Sequence, residues 1–166
     1  MWFELRKEDL SFRQRAPVVY INQAEIAAPR CAVGAAFCDA ASWKKWFPNL
    51  RGALYEGLPP YGVGSIREAH VGSTRWREEM LLVDQNQGIA WTVTRSTVPF
   101  AHALVESFEL SDSPNGTRVR WTFAMQPRLI ARLGSPFAAR VMGGVLQRAA
   151  KNLETYLQHP TRNPGS

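Results

Sequence analysis

A histidine, an arginine and a glutamate occupy two neighbouring predicted strands at positions where chemistry could take place. His102 and Glu106 lie on the otherwise apolar face of the segment 101–111, where polar residues are unusual. A simple hairpin with the segment 88–96 places Arg95 opposite His102, within about 5 Å between Cβ atoms. We therefore predict a catalytic cluster in which His102 moves a proton and Arg95 orients a carbonyl or enolate oxygen. Glu106 would tune His102 or bind a hydroxyl.

Each of these three residues also has a structural explanation. His102 is near a strand end, where partly exposed histidines are common, and Arg95 there would be a rim residue or an ion-pair partner. The same hairpin places Trp91 opposite Glu106, but a register slip of one residue would turn Glu106 outward. The chemical role of the cluster thus depends on the register of one hairpin.

An apolar pocket is predicted beside this cluster. Glu78 and Glu79 are adjacent on a predicted strand, so they face opposite ways. Glu78 shares its face with large apolar residues, and its burial would require an arginine or a ligand hydroxyl nearby. The predicted ligand-binding residues are Trp76, Glu78, Met80, Trp91, Val93, Leu104, Phe108, Trp121, Phe123, Phe137 and Val141.

The elements that must position these residues follow from turn residues and hydrophobic periodicity. β-Branched residues predict a strand at 18–27, and two short helices follow at 29–38 and 42–48. Short turn sequences separate further strands at 51–57, 63–71, 73–83, 88–96, 101–111 and 117–126. Apolar residues at spacings of three and four predict an amphipathic helix over 136–158.

These elements predict an α+β fold with a curved, antiparallel, seven-stranded sheet. Short connections favour an antiparallel meander. The long C-terminal helix must bury its apolar stripe, and the sheet is the only large complementary surface. We therefore expect the sheet to wrap around that helix. The residues 1–17 are predicted to be an N-terminal extension, as a short helix or an added edge strand.

The sequence resembles the START/birch-allergen-like (SRPBCC) superfamily, and within it the polyketide cyclase/dehydrase and lipid-transport group. The resemblance is carried by EIAAPRCAVGAAFCDAASWKKWFPNL (25–50), VGSIREA (63–69), WREEMLLVDQNQGIAWTV (76–93) and NGTRVRWTF (115–123). It implies a helix-grip fold over 18–158, with a ligand cavity between the sheet and the long helix. The residues 159–166 are predicted to be a disordered tail.

Three classes of function stay open at this point. The first is transport or sequestration of a hydrophobic or amphipathic small molecule, such as a lipid, polyketide, quinone or aromatic compound. The second is a polyketide cyclase or dehydratase-like enzyme that uses the same cavity, and the third is a protein-interaction module with a filled core. A carrier needs one or two polar groups in its cavity, whereas an enzyme needs three or more that converge and have shifted pKa values.

Composition and spacing narrow the partners and cofactors. The chain has 166 residues and a net charge of +6, but its arginines are scattered, so no nucleic-acid partner is predicted. Arg75 with Arg77 and Arg118 with Arg120 alternate along strands, which fits a solvated face or a phosphate-binding stripe. The three histidines and two cysteines lack metal-ligand spacing, and no phosphate-binding loop is present. We predict no metal and no cofactor.

The apolar segments and the cysteines bear on location. The most apolar stretch, 31–38, is far shorter than the roughly 20 residues that a membrane span requires. The two cysteines lie seven residues apart in a predicted helix, about 10 Å along its axis and too far apart for a disulfide. We therefore predict a cytoplasmic protein without stable membrane insertion, and the sequence leaves a homodimer open.

Overall fold

A computed structural model describes residues 1–128 and 135–159, with backbone alone for 135–139. The strands are β1 (Phe3–Glu4), β2 (Val18–Ile26), β3 (Leu50–Tyr55), β4 (Ile66–Val71), β5 (Thr74–Asp84), β6 (Gly88–Ser96), β7 (Ala101–Ser113) and β8 (Gly116–Pro127). The helices are α1 (Phe12–Arg15), α2 (Arg30–Cys38), α3 (Trp43–Trp46) and α4 (Ser135–Gln158).

Seven strands form one antiparallel path in the order β2-β8-β7-β6-β5-β4-β3, and β1 adds a short pairing to β6. The main hydrophobic core brings residues of these strands together with side chains of α2, α3 and α4, among them Phe37, Trp43 and Leu153. The predicted fold is confirmed: the curved sheet, the two short helices after the first long strand and the long C-terminal helix form a helix grip. Sheet and α4 therefore enclose the region where a ligand site is expected.

The helix α4 departs at Val141 from the buried stripe that its sequence spacing predicted. Leu146, Ala149 and Leu153 are buried, whereas Val141 is 45% exposed. A spacing of four residues advances about 40° beyond a full helical turn. Two such steps, from Ala149 back to Val141, therefore turn Val141 about 80° away from the core. The prediction that Val141 binds ligand is wrong for this reason, and Phe137 lies outside the residues whose side chains are described.

The N-terminal residues are built into the sheet. Glu4 pairs with Arg95 at the end of β6, and the Arg6 backbone N–H donates to the His102 carbonyl at 2.8 Å. This segment thus runs between the end of β6 and the start of β7, whose mutual pairing covers Gly88–Thr92 of β6. A short helix is present, as the sequence allowed, but the added strand β1 pairs with the inner strand β6 and not with an edge of the sheet.

The helix α1 covers part of the outer face of the sheet. Phe12 is 2% exposed and packs on Ala103, Val105 and Ala124. We expect Phe12→Ala to lower the free energy of unfolding by about 3 kcal/mol, because it removes a buried ring from a packed site. Urea unfolding measures this value. Leu58→Ala, at a residue that is 90% exposed, is the control, and a loss below about 1 kcal/mol at Phe12 would contradict the packing.

Candidate functional site

A cavity of about 240 Å³ lies between the inner face of the sheet and α4. Its lining is mostly aromatic and aliphatic, with Trp43 on α3 and Met142 and Val145 on α4. The charged groups among its described lining residues are Arg67, Glu78 and Glu106. The cavity therefore combines an apolar wall with a small polar cluster on the sheet.

Arg67 and Glu78 form a buried ion pair in the wall of the cavity. Arg67 Nε donates to Glu78 Oε2 at 2.7 Å, and each side chain is 2% exposed. The guanidinium carbon also lies 4.4 Å from the centre of the Trp91 ring and 5.4 Å from that of Trp43, a cation–π arrangement. The position of the guanidinium is therefore fixed by one carboxylate and two indole rings.

The hairpin of β4 and β5 places these two residues opposite each other. Gly72 in the connecting turn has φ +60°, a left-handed conformation that glycine adopts without strain. The turn pairs Val71 with Thr74, and the same register pairs Arg67 with Glu78. Burial raises the pKa of Glu78, and the charge and hydrogen bond of Arg67 oppose that rise. Because arginine stays charged in proteins, the ionised pair leaves neither group as an isolated buried charge.

Glu106 is the second buried carboxyl group of the cavity. Trp121 Nε1 donates to Glu106 Oε1 at 2.6 Å, and Glu106 is 5% exposed. Burial, with a smaller contribution from the charge of Glu78, raises the pKa of Glu106 to about 8, against the Trp121 hydrogen bond and the charge of Arg67. Glu106 is therefore protonated at neutral pH, and the charges of Arg67 and Glu78 cancel.

The structure divides the predicted site residues into three groups. The cavity is lined by Glu106 and by the predicted ligand-binding residues Trp76, Glu78, Trp91, Trp121 and Phe123. Four further predicted residues are buried in the core but are not part of this lining, namely Met80, Val93, Leu104 and Phe108. The remaining predicted ligand-binding residues are Val141, on the exposed side of α4, and Phe137.

The predicted triad of His102, Arg95 and Glu106 does not assemble. Trp91 does pair with Glu106 as the hairpin register predicted, but the N-terminal segment intervenes before Arg95 reaches His102. Arg95 instead forms an ion pair with Glu4 at 2.9 Å. His102 is exposed, because the register of β7 on β8 shifts between Ala101 and Ala103 and such a bulge reorients the residue it contains. The joint proton transfer and oxygen binding predicted for His102 and Arg95 therefore lack the geometry on which that prediction rested.

Sequence reasoning missed Arg67 as the partner of Glu78. The signal was available in the short turn at Gly72, since a two-residue loop fixes the register of a hairpin. Counting back from that turn pairs position 67 with position 78. Trp43, on the short helix α3, is 3% exposed and lines the cavity.

The described part of the chain offers neither a membrane-spanning helix nor a metal-binding cluster. In residues 1–128 and 135–159 no helix is long and apolar enough to cross a membrane. The same residues hold no group of three histidine, cysteine or acidic side chains that could bind a metal ion. The polar cluster of the cavity is thus the arrangement that needs a functional explanation.

Comparison with known sequences identifies one protein family. The family described as polyketide cyclase / dehydrase and lipid transport matches residues 21–158. An uncharacterised protein of Mycobacterium tuberculosis is 22% identical over 148 residues, which cover 89% of this chain and 89% of that protein. An uncharacterised protein of Mycobacterium bovis matches to the same extent.

Solved structures with the same fold come from bacteria and plants. A START superfamily protein from Mycobacterium smegmatis has a TM-score of 0.68 at 18% identity and covers 86% of this chain and 99% of its own. Ginseng major latex-like protein 151 has a TM-score of 0.69 at 16% identity, with 84% and 96% covered. The Zhui aromatase/cyclase from a Streptomyces species has a TM-score of 0.62 at 17% identity, with 90% and 98% covered. At these identities the likeness concerns the fold alone.

Proposed function

Because the chain belongs to the polyketide cyclase / dehydrase and lipid-transport family, we propose that it binds a small hydrophobic or amphipathic molecule in the cavity between the sheet and α4. The observation that carries this proposal is the cavity itself, about 240 Å³ with a mostly apolar lining. Protein ligand pockets commonly measure about 300–1,000 Å³, so this one is small. It suits a molecule of one or two rings better than a long acyl chain.

The open volume and aromatic lining of the cavity fit reversible ligand binding better than they fit a protein-interaction module. That alternative required a filled core, whereas aromatic side chains here surround open volume. Trp91 and Trp121 line the cavity, and each stacks on Phe108, with ring centroids 5.7 Å and 5.3 Å away. Flat, rigid walls of this kind favour a ligand with aromatic rings.

A cavity-filling substitution tests the proposal. Val145 on α4 lines the cavity, and Val145→Trp is expected to fill part of it and to weaken binding of an apolar fluorescent probe at least tenfold. Val141→Trp places the same side chain on the exposed side of the helix and is expected to leave binding unchanged. Thermal unfolding of both variants first checks that they fold. Equal binding by the two variants would contradict a ligand site in this cavity.

Catalysis in the same cavity is the second candidate function. Three polar groups converge there, Arg67, Glu78 and Glu106, and the pKa of both carboxyl groups is raised. A protonated carboxyl group in an apolar site is the usual form of a general acid. The predicted cyclase or dehydratase chemistry would therefore use Glu106 as acid and Arg67 to stabilise a developing oxyanion. Mass spectrometry of the bound molecule before and after incubation distinguishes turnover from simple binding.

A further inference from the structure

The cavity holds two carboxyl groups but one arginine among its described lining residues. That arginine donates through Nε to Glu78 at 2.7 Å, and its buried Nη1 has no hydrogen-bonding partner among the described residues. Glu106 has an indole as its hydrogen-bonding partner instead of a cation. An ionised carboxylate without a cationic partner is costly to bury, so this arrangement by itself requires Glu106 to keep its proton.

The indole of Trp121 also determines which oxygen of Glu106 carries that proton. Trp121 Nε1 is a donor only, and it occupies Glu106 Oε1. Oε1 therefore acts as the acceptor and the proton resides on Oε2, which has no hydrogen-bonding partner among the described residues. The Oε2 hydroxyl is left as a donor on a residue that lines the cavity.

We propose that the ligand of this cavity is an uncharged aromatic molecule with a carbonyl-type oxygen, and that this oxygen accepts a hydrogen bond from Glu106 Oε2. This inference rests on the proposed binding function and adds the chemical class of the ligand. The carbonyl oxygen supplies the acceptor that Glu106 lacks. A permanently anionic ligand is disfavoured because the negative charge of Glu78, which pairs with Arg67, already lies in the same cavity and would repel a second one.

The groups that face Glu106 make the interaction dependent on pH. Two charged groups interact electrostatically with Glu106: Glu78 on β5 and Arg67 on β4. The neighbouring strands β6 and β8 pair Trp91 and Phe123 with it, and α4 contributes Met142 and Val145 to the cavity. The pKa of Glu106 is about 8, so its charge changes in this pH range. Its ionisation removes the hydroxyl donor and places a negative charge against the carbonyl oxygen.

Three probes of matched shape test the ligand class: methyl naphthyl ketone, ethylnaphthalene and naphthoate. At pH 6.5 the ketone is expected to bind about fivefold to tenfold more tightly than the hydrocarbon, the usual effect of one added neutral hydrogen bond. Naphthoate is expected to bind most weakly. Between pH 6.5 and pH 9.5 the preference for the ketone should disappear. Isothermal titration calorimetry gives all three dissociation constants.

Two substitutions of Glu106 identify the group responsible. Glu106→Gln keeps an acceptor for Trp121 and an N–H donor for the ligand, so its preference for the ketone should persist and become independent of pH. Glu106→Met should lose the preference. If Glu106→Met fails to fold, the pH profile of Glu106→Gln against the wild-type protein decides the question.

The outcomes separate this inference from the function on which it rests. Equal binding of ketone and hydrocarbon, or tightest binding of naphthoate, overturns the ligand class while binding in the cavity stands. A ketone preference in the wild-type protein with the same pH profile in Glu106→Gln also overturns it, because Glu106 would then not be the donor. Failure of all three probes to bind overturns the proposed function and the inference together.

Discussion

Replacing Arg67 with methionine is expected to lower the free energy of unfolding by about 3–5 kcal/mol, the usual cost of leaving a buried charge without its partner. Glu78 is 1% exposed, and Arg67 is the cation that it contacts, at 2.7 Å. Without the guanidinium, Glu78 must be buried as an isolated anion or take up a proton. Urea unfolding at pH 7 measures the loss.

The control for this substitution is an exposed ion pair of the same length. Arg77 contacts Glu56 at 2.7 Å, but the two side chains are 36% and 51% exposed. Arg77→Met should therefore cost less than about 1 kcal/mol. Replacing both Arg67 and Glu78 with methionine should recover most of the stability, since no charge is then left behind. A double variant as unstable as Arg67→Met would show that the loss arises from packing.

The instability of Arg67→Met should also depend on pH. Once Arg67 is absent, burial alone acts on Glu78 and holds its folded-state pKa above the unfolded value, near 4.3. A raised carboxyl pKa gives stability that is fully present below the unfolded pKa and is lost as the pH rises through the folded pKa. The deficit relative to the wild-type protein should therefore shrink toward pH 4.

Glu106→Gln is expected to remove a large pH dependence of stability. The pKa of Glu106 is raised from 4.5 to about 8, which corresponds to about 5 kcal/mol at 1.36 kcal/mol per pKa unit. Because the shift is upward, this stability is present below pH 4.5 and is lost as the pH rises toward 8. The wild-type protein should therefore lose several kcal/mol between pH 5 and pH 9 relative to Glu106→Gln.

Urea unfolding of both proteins at pH 5 and pH 9 measures this difference directly. Glu109→Gln, on the same strand but 41% exposed at its side chain, is the matched control and should follow the wild-type profile. Parallel profiles for the wild-type protein and Glu106→Gln would mean that Glu106 is ionised throughout. That result would also remove the general-acid role from the second candidate function.

Local patterns in the sequence were sufficient to predict the order of the strands and helices and the inward orientation of Glu78. Alternation along strands and spacings of three and four along the helix depend on residues within the same element. The pairing of Trp91 with Glu106 also followed, because a short connection joins β6 and β7. The sequence was therefore enough to predict the fold and the part of the site formed by Glu78, Trp91 and Glu106.

The features that the sequence did not predict depend on distant contacts. His102 and Arg95 fail to meet because residues from the start of the chain, about ninety positions away, run between β6 and β7. No periodicity in either strand carries that information. The position of Val141 on α4 was misjudged because four-residue spacings drift around a helix. The volume of the cavity depends on how α4 packs against the sheet. Composition and residue spacing do not predict that packing.

A crystal structure of the protein soaked with methyl naphthyl ketone would show where the ligand binds. We expect electron density for the ketone between the sheet and α4, with its rings against Trp91 and Trp121 and its oxygen within hydrogen-bonding distance of Glu106 Oε2. The same soak of Val145→Trp should leave the cavity without the ketone. Ketone bound at the surface of the wild-type protein, with none between the sheet and α4, would contradict the account.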